Sequence, residues 1–322
     1  MWAYIARRTL LTVPIVIGIV IITMILFTVL AKDPARMYAG RNASPQVIES
    51  IRARMGLNKP KWFDAGALTR GDVKKAFDTQ FFDVLLFRFP DSMRYEESIW
   101  GIIKKKGPVS LAIQVPAFVI ATALELSLAL WAASRRGRWL DYSITFASIL
   151  LLSMPPLSLY ILAQWLFGQK LGIFPVAGWD AGAYAVHFAA LPILMMVIVT
   201  AGRGTRLYRT VVLDEIYSDY VRTARAKGVS NQEILFTHVL RNVMIPVITN
   251  TVTALPALLL GALLLERIFQ IPGLGGLLVE AIFNNDRPVL MGLTYVLAIL
   301  YCVLQLVSDV LYTVVNPQVV LK

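Results

Sequence analysis

Six long apolar runs constrain the fold of this chain more than any other feature of its sequence. They cover approximately residues 10–31, 109–133, 140–167, 187–201, 243–265 and 289–315, and we expect the fourth to extend past Arg203. A helix of about 20 residues crosses the ~30 Å hydrocarbon layer of a bilayer. Of the 322 residues 57% are hydrophobic and only 16% are charged, too few for the surface of a soluble domain. We therefore predict an all-α membrane protein with about six transmembrane helices.

Lysine and arginine are concentrated in alternate connections between these runs. The loops 134–139 and 202–242 are basic, whereas 168–186 carries one lysine and 266–288 two arginines. Because basic loops tend to stay in the cytoplasm, we predict that both basic loops and both termini are cytoplasmic. The segment 32–108 is then a long outer loop. It holds 15 Lys and Arg, among them Lys104, Lys105 and Lys106, but loops longer than about 60 residues largely escape this rule.

The runs and loops divide the chain into three parts. The segment 1–31 is predicted to be a cytoplasmic N-terminus and the first helix, and 32–108 is the extracytoplasmic loop. The segment 109–322 is predicted to be the core, with five further helices and the cytoplasmic loop 202–242.

Two features inside the runs are candidates for a transmembrane pathway. Pro155 and Pro156 interrupt the third run, and the carbonyl groups freed by a broken helix need neighbouring helices or a water-filled cavity. These prolines either kink an ordinary helix or shape a pathway. Glu125 is an acid well inside the second run, and an intramembrane carboxylate is a functional candidate by default. It lies two or three turns from Arg135, so reaching cytoplasmic water is its alternative role.

The polar segment between the fourth and fifth runs is predicted to form two helices joined by a turn. Four residues share one face of the first helix through the i, i+3, i+4, i+7 spacing, namely Tyr217, Tyr220, Val221 and Ala224. Gly228 fits a helix stop, where a positive φ is common. Ser230 and Glu233 fit a capping box, and the second helix is predicted to continue through His238 into the fifth run. The first helix is either a docking surface for a protein or an amphipathic helix on anionic lipid.

The same segment carries a family resemblance. Its sequence RTARAKGVSNQEILFTHVLRNVMIPVIT resembles the cytoplasmic coupling motif of bacterial ABC-transporter permeases, in the form found in the dipeptide, oligopeptide and nickel branch. Where the generic motif has Glu-Ala-Ala, three residues and Gly, this chain has Arg222, Thr223, Ala224 and Gly228. Family-like segments run from YIARRTLLTVPIVIGI near the start, through ERIFQIPGLGGLLVEAIFNNDRPVLMG, to SDVLYTVVNPQV near the end.

The resemblance implies a subunit of an ATP-driven importer in the bacterial inner membrane. A homologous second permease, two ATPase subunits and an extracytoplasmic solute-binding protein are its implied partners. ATP and magnesium would be bound by the ATPases, so no cofactor is expected in this chain. A cytoplasmic coupling helix would lie between transmembrane helices 4 and 5, with coupling through residues 219–230. The implied coupling residues are Tyr220, Arg222, Thr223, Ala224, Arg225, Lys227, Gly228, Ser230, Glu233 and His238.

Other classes of protein have less support in the sequence. A secondary transporter or channel without ATPase partners would need several ionisable groups at mid-depth, and the runs offer Glu125 and Asp309. Two distant histidines and a lone Cys302, with no nucleotide or hydrolase motif, do not favour an enzyme. The net charge of +11 is more consistent with anionic lipid than with nucleic acid.

Two further expectations concern a glycine-rich run and the solute. The run PGLGG at 272–276 is predicted to be a re-entrant or tight outer turn. The sequence does not select the solute, and peptide, nickel, glutathione and oligosaccharide all stay open.

Overall fold

The computed structural model describes residues 2–26, 34–40, 42–256 and 263–315, and most of these residues are helical. The helices before the long polar loop are α1 Trp2–Met24, α2 Pro34–Ala39, α3 Pro45–Arg54, α4 Ala65–Thr69, α5 Val73–Phe77, α6 Gln80–Leu85, α7 Ile99–Ser134, α8 Trp139–Ser153, α9 Pro156–Ala163 and α10 Ala185–Ile216. Those that follow are α11 Asp219–Ala226, α12 Asn231–Glu233, α13 Leu240–Ala254, α14 Leu263–Ile268, α15 Leu274–Phe283 and α16 Arg287–Val315. Helices are expected here, because a helix satisfies its backbone polar groups internally and so can enter lipid.

Within the described residues, three helices are long and apolar enough to cross a membrane. They are Ile99–Ser134, Ala185–Ile216 and Arg287–Leu311, and the bent pair α8 and α9 with its extension makes a fourth if it counts as one span. The predicted extension of the fourth run past Arg203 is confirmed, because α10 continues to Ile216. The first and fifth predicted spans include residues 27–31 and 257–262, which lie outside the described part. The count of six therefore stays a prediction.

The third predicted span is wrong as one continuous helix. Residues Trp139–Ser153 and Pro156–Lys170 form two helices that meet at an angle of 101°. A proline disfavours helical backbone in the residue before it, and two successive prolines apply this rule twice. Met154 and Pro155 accordingly have ψ values of 131° and 132°, and Pro156 occupies the first position of α9, where its ring fits. The prolines thus break the helix and do not merely kink it.

The chain divides into two compact units. The first comprises Met1–Val109 and Pro272–Leu306. It contains most of the predicted outer loop, which forms short helices held by side-chain hydrogen bonds. The Ser92 hydroxyl donates to Asp286 at 2.5 Å, and the Tyr95 hydroxyl donates to Glu280 at 2.7 Å. Burial and this hydrogen bond raise the pKa of Tyr95 to about 12. These hydrogen bonds hold the outer segment against α15 and the residue before α16.

Two sequence predictions change in the first unit. Lys104, Lys105 and Lys106 lie within α7 and not in a loop before it, because this helix begins at Ile99. Lys105 pairs with Glu97 at 2.7 Å. In the PGLGG run, Gly273 is the N-cap of α15 and Leu274 begins this helix, so the run is not a tight turn over all five residues. The re-entrant alternative stays a prediction.

The second unit comprises Ser110–Ile271 and Val307–Lys322. Helices α8 and α10 approach closely in it, since a Cβ atom added at Gly202 would lie 2.9 Å from the Ser148 carbonyl oxygen. A buried apolar cluster includes Ala129, Leu130, Ala133, Tyr208, Val212, Val221, Ile234, Val239, Val243 and Val247. This cluster joins α7, α10, α11 and the helical stretch 231–254, so it holds the polar segment against two membrane-type helices.

Candidate coupling site

The polar segment forms a short helix, a glycine turn and a second helix, as the sequence predicted. Helix α11 covers Asp219–Ala226, and Lys227 ends it as the C-cap. Gly228 follows with φ of +80°, and a Cβ atom placed there would meet nothing within 4 Å. The glycine is therefore required by the backbone conformation of the turn and not by crowding.

Ser230 starts the second helix as predicted. Its hydroxyl oxygen accepts a hydrogen bond from the backbone N–H of Glu233 at 3.3 Å, which satisfies one of the free N–H groups at a helix N-terminus. The helical stretch then runs through a π-helical turn, Ile234–Val239, into α13. His238 lies in that π-helical turn with an exposed side chain.

Val221 anchors α11 to the rest of the second unit. Its side chain is fully buried within the apolar cluster that also contains Tyr208 and Val243, and Ala224 packs at the edge of that cluster. Fully burying a side chain of this kind stabilises a structure by about 1.5–3 kcal/mol. The apolar face predicted for this helix is therefore turned inward, towards protein.

Tyr217 is the exception on that predicted face. It lies before α11, where it caps the C-terminus of α10, and 51% of its surface is exposed. Tyr220 is at the margin, and its hydroxyl donates to Glu215 Oε2 at 2.6 Å. Burial and that hydrogen bond raise the pKa of Tyr220 above its ordinary value. The inward face of α11 is consequently narrower than the sequence suggested.

Most other residues of the segment are exposed, and several of them are basic. Of the ten predicted coupling residues nine are exposed, and they are Tyr220, Arg222, Thr223, Arg225, Lys227, Gly228, Ser230, Glu233 and His238. Ala224, the tenth, is half-buried. The structure thus places these residues on one continuous stretch of chain, 220–238, where a partner could reach them.

The candidate pathway residues lie in different surroundings. Pro155 and Pro156 are exposed at the sharp bend between α8 and α9. Glu125 is only 8% exposed, and its carboxylate packs against α10 at Gly204, where a Cβ atom would overlap it. Glu125 therefore contacts a neighbouring helix and does not simply extend to water, while its role in a pathway stays a prediction.

An ion pair that the sequence reasoning missed joins α8 to α10. Arg209 Nε donates to Asp141 Oδ1 at 2.6 Å, and its Nη2 donates to Oδ2 at 2.8 Å. In the sequence, Arg209 is one of several basic residues of the predicted loop 202–242. A signal was present, because Asp141 is an acid at the start of an apolar run, three residues after Arg138.

A second missed acid, Glu266, is 1% exposed on α14 and lies just beyond the fifth predicted span. It accepts a hydrogen bond from the Ser110 hydroxyl of α7 at 2.6 Å. Burial of a carboxylate is costly unless it is hydrogen-bonded, and this bond accounts for part of its stabilisation.

These elements define a helical, multi-pass membrane protein with a basic helix-turn-helix segment anchored beneath its apolar helices. Comparison with known proteins agrees with that class. The family described as "Binding-protein-dependent transport system inner membrane component" matches residues 125–321. Its N-terminal companion, described as "Binding-prot-dependent transport system membrane comp, N-term", matches residues 1–114.

Individual relatives match over nearly the whole chain. A putative peptide transport system permease protein of Brucella suis is 32% identical over 323 residues and covers 99% of both chains. The oligopeptide transport system permease protein AppB of Bacillus subtilis is 30% identical over 331 residues, again covering 99% of both. The glutathione transport system permease protein GsiC of Salmonella choleraesuis is 29% identical over 320 residues and covers 98% of both.

The chain therefore belongs to the family of binding-protein-dependent transport system inner membrane components. This membership confirms the resemblance to ABC-transporter permease subunits of the peptide branch. The family consists of membrane components of transport systems, which are not themselves catalytic in general.

Proposed function

We propose that this chain is the permease subunit of an ATP-driven importer for peptides or a related small solute. The observation that carries the proposal is the form of α11. Val221 is fully buried in the core of the second unit, while the arginines and lysine of the same segment are exposed. A helix with this arrangement is fixed to the membrane helices and offers exposed cationic side chains to a soluble partner.

The coupling segment in this proposal is 219–230. An ATPase subunit binds the exposed face of α11, and its closure on ATP moves the helix. Val221 and the surrounding cluster transmit this movement to α7, α10 and α13, since packed side chains resist deformation. The proposal favours a permease over a secondary transporter or channel, because a rigidly anchored cytoplasmic helix has a clear use only when a motor pushes on it.

The remaining partners follow from the family. A second, homologous permease completes the membrane unit, two ATPase subunits bind ATP and magnesium, and an extracytoplasmic binding protein delivers the solute. The complex would reside in the bacterial inner membrane with both termini of this chain in the cytoplasm. Relatives named for peptide and glutathione transport support a peptide-like solute.

Reconstitution in lipid vesicles tests the proposal. We expect the purified chain alone to hydrolyse no ATP, and the complex with its second permease, ATPases and binding protein to import peptide only when ATP is present. A complex with an inactivated ATPase serves as the control. Import that needs no ATPase, or that follows an ion gradient, would contradict the proposal and favour a secondary transporter.

A further inference from the structure

The short basic loop 134–139 is fastened to α10 and to Tyr217, which precedes α11. The loop turns at Gly137, which has φ of +75°. Its backbone N–H donates to Asp141 Oδ2 at 3.0 Å. The same carboxylate receives the two hydrogen bonds from Arg209. Asp141 therefore ties the loop, the first turn of α8 and the lower part of α10 together.

Burial makes this attachment stiff. The Asp141 side chain is 4% exposed and that of Arg209 is 23% exposed. A bidentate arginine–carboxylate pair fixes both distance and orientation, and a buried pair is screened by water and salt much less than one at the surface. The close approach of Gly202 to the Ser148 carbonyl strengthens the contact between the same two helices further along.

A second contact links the loop to the coupling helix. The Arg136 guanidinium lies over the Tyr217 ring at 5.0 Å from its centroid, within the range of a cation–π interaction. Tyr217 precedes the N-cap of α11 by one residue. The loop thus contacts the residues at which α10 ends and α11 begins.

We propose that Asp141 and Arg209 are positioning residues that pass movement of the coupling helix to the bent helix pair α8–α9. This inference rests on the proposed function, because it assumes an ATPase that moves α11. When α11 moves, α10 and the loop move with it, and the buried ion pair draws the N-terminus of α8 along. The 101° bend at Pro155 is then the place where that displacement changes direction.

The Asp141–Arg209 pair therefore connects the bent pair α8–α9 to movement of the coupling helix, a connection that the contacts of α11 itself do not provide. Val221 connects the coupling helix to α7, α10 and α13, and none of these is the bent pair. The Asp141–Arg209 contact supplies the route to α8. Without it, ATP-driven movement would still reach three helices but would reach α8 only through its packing against α10, which lacks the fixed orientation of a bidentate pair.

Three arginine variants of the reconstituted complex test the inference, and the measured quantity is solute imported per ATP hydrolysed. Arg209→Gln removes the charge, Arg209→Lys keeps it but loses the bidentate geometry, and Arg206→Gln is the matched control. Arg206 lies three residues earlier on the same helix with an exposed side chain. We expect the ratio to fall about tenfold in Arg209→Gln, to be intermediate in Arg209→Lys and to equal the wild-type value in Arg206→Gln.

A merely structural role for the pair would lower the yield of complex and leave the ratio of the assembled complex unchanged, which would overturn the inference. The same holds if Arg209→Lys and Arg209→Gln couple like wild type. If Arg209→Gln does not assemble, Arg209→Lys and Arg136→Gln decide, and we expect both to lower the ratio. Arg136→Gln removes the contact with Tyr217 and the charge near Asp141 but keeps the Asp141–Arg209 pair. Failure of the proposed function is recognised separately, because the wild-type complex would then show no ATP-dependent import.

Discussion

Replacing Gly228 by valine tests whether the turn after α11 sets the angle of the coupling helix. The glycine has φ of +80°, in the left-handed region, and an added Cβ atom would touch nothing within 4 Å. The Cβ atom of a substituted residue therefore meets no steric clash at this position. The main effect of the substitution comes from the backbone, and that makes the perturbation unusually simple to assess.

Two free energies of similar size decide the outcome. A residue with a Cβ atom in the left-handed conformation costs about 1–2 kcal/mol, and a β-branched side chain is at the upper end. Burial of Val221, which holds α11 in place, contributes about 1.5–3 kcal/mol. Since strain of about 2 kcal/mol offsets most of this anchoring, a substantial fraction of the molecules should release α11 from its native angle. Because the two free energies nearly balance, about half of the molecules release α11, and we expect import to fall by about twofold.

The assay is solute uptake and ATP hydrolysis by the reconstituted complex, together with copurification of the ATPase subunits. Gly228→Asn is the matched control, because asparagine tolerates a positive φ far better than valine. We expect the asparagine variant to keep most of its transport and the complex of either variant to insert normally. Wild-type transport by Gly228→Val, or equal loss in both variants, would refute the argument.

Two further predictions concern packing and topology. Gly202→Ala should destabilise the protein by about 1–3 kcal/mol, seen as a lower Tm in detergent, because its Cβ meets a backbone carbonyl that cannot move. Gly204→Ala should cost less, since its Cβ meets the end of the flexible Glu125 side chain, and an equal or larger loss there would contradict this comparison. For topology, single cysteines replacing Lys74 and Gln232 in a Cys302→Ser background, both at exposed positions, should react with an impermeant thiol reagent from outside and inside respectively. Labelling of the second position from outside intact cells would show that the orientation is wrong.

Local sequence patterns predicted much of the candidate site. The turn at Gly228, the cap at Ser230 and the inward face formed by Val221 and Ala224 all depend on residues a few positions apart. Capping and helix spacing are governed by backbone groups within one or two turns, so the sequence carries this information directly. The outward face followed from the same periodicity, although Tyr217 was assigned to the wrong helix.

The apolar runs likewise determined that this is a helical membrane protein, because hydrocarbon accepts only backbone that satisfies its own hydrogen bonds. The two adjacent prolines carried the signal for a break at Met154, but the angle of 101° depends on what packs against each half. Run length alone therefore joined α8 and α9 into one helix, and the structure separates them.

Pairings between distant residues were decided only by the tertiary structure. Asp141 and Arg209 are 68 positions apart, and Ser110 and Glu266 are 156 apart. No local period connects such residues, and any of several acids and arginines would satisfy the same charge balance. Which carboxylate is buried, and by which partner, depends on how the helices pack. That packing places Glu125 against Gly204 and holds the basic loop 134–139 to α10. Neither arrangement can be predicted from a local segment, because the contacting residues are far apart in the sequence.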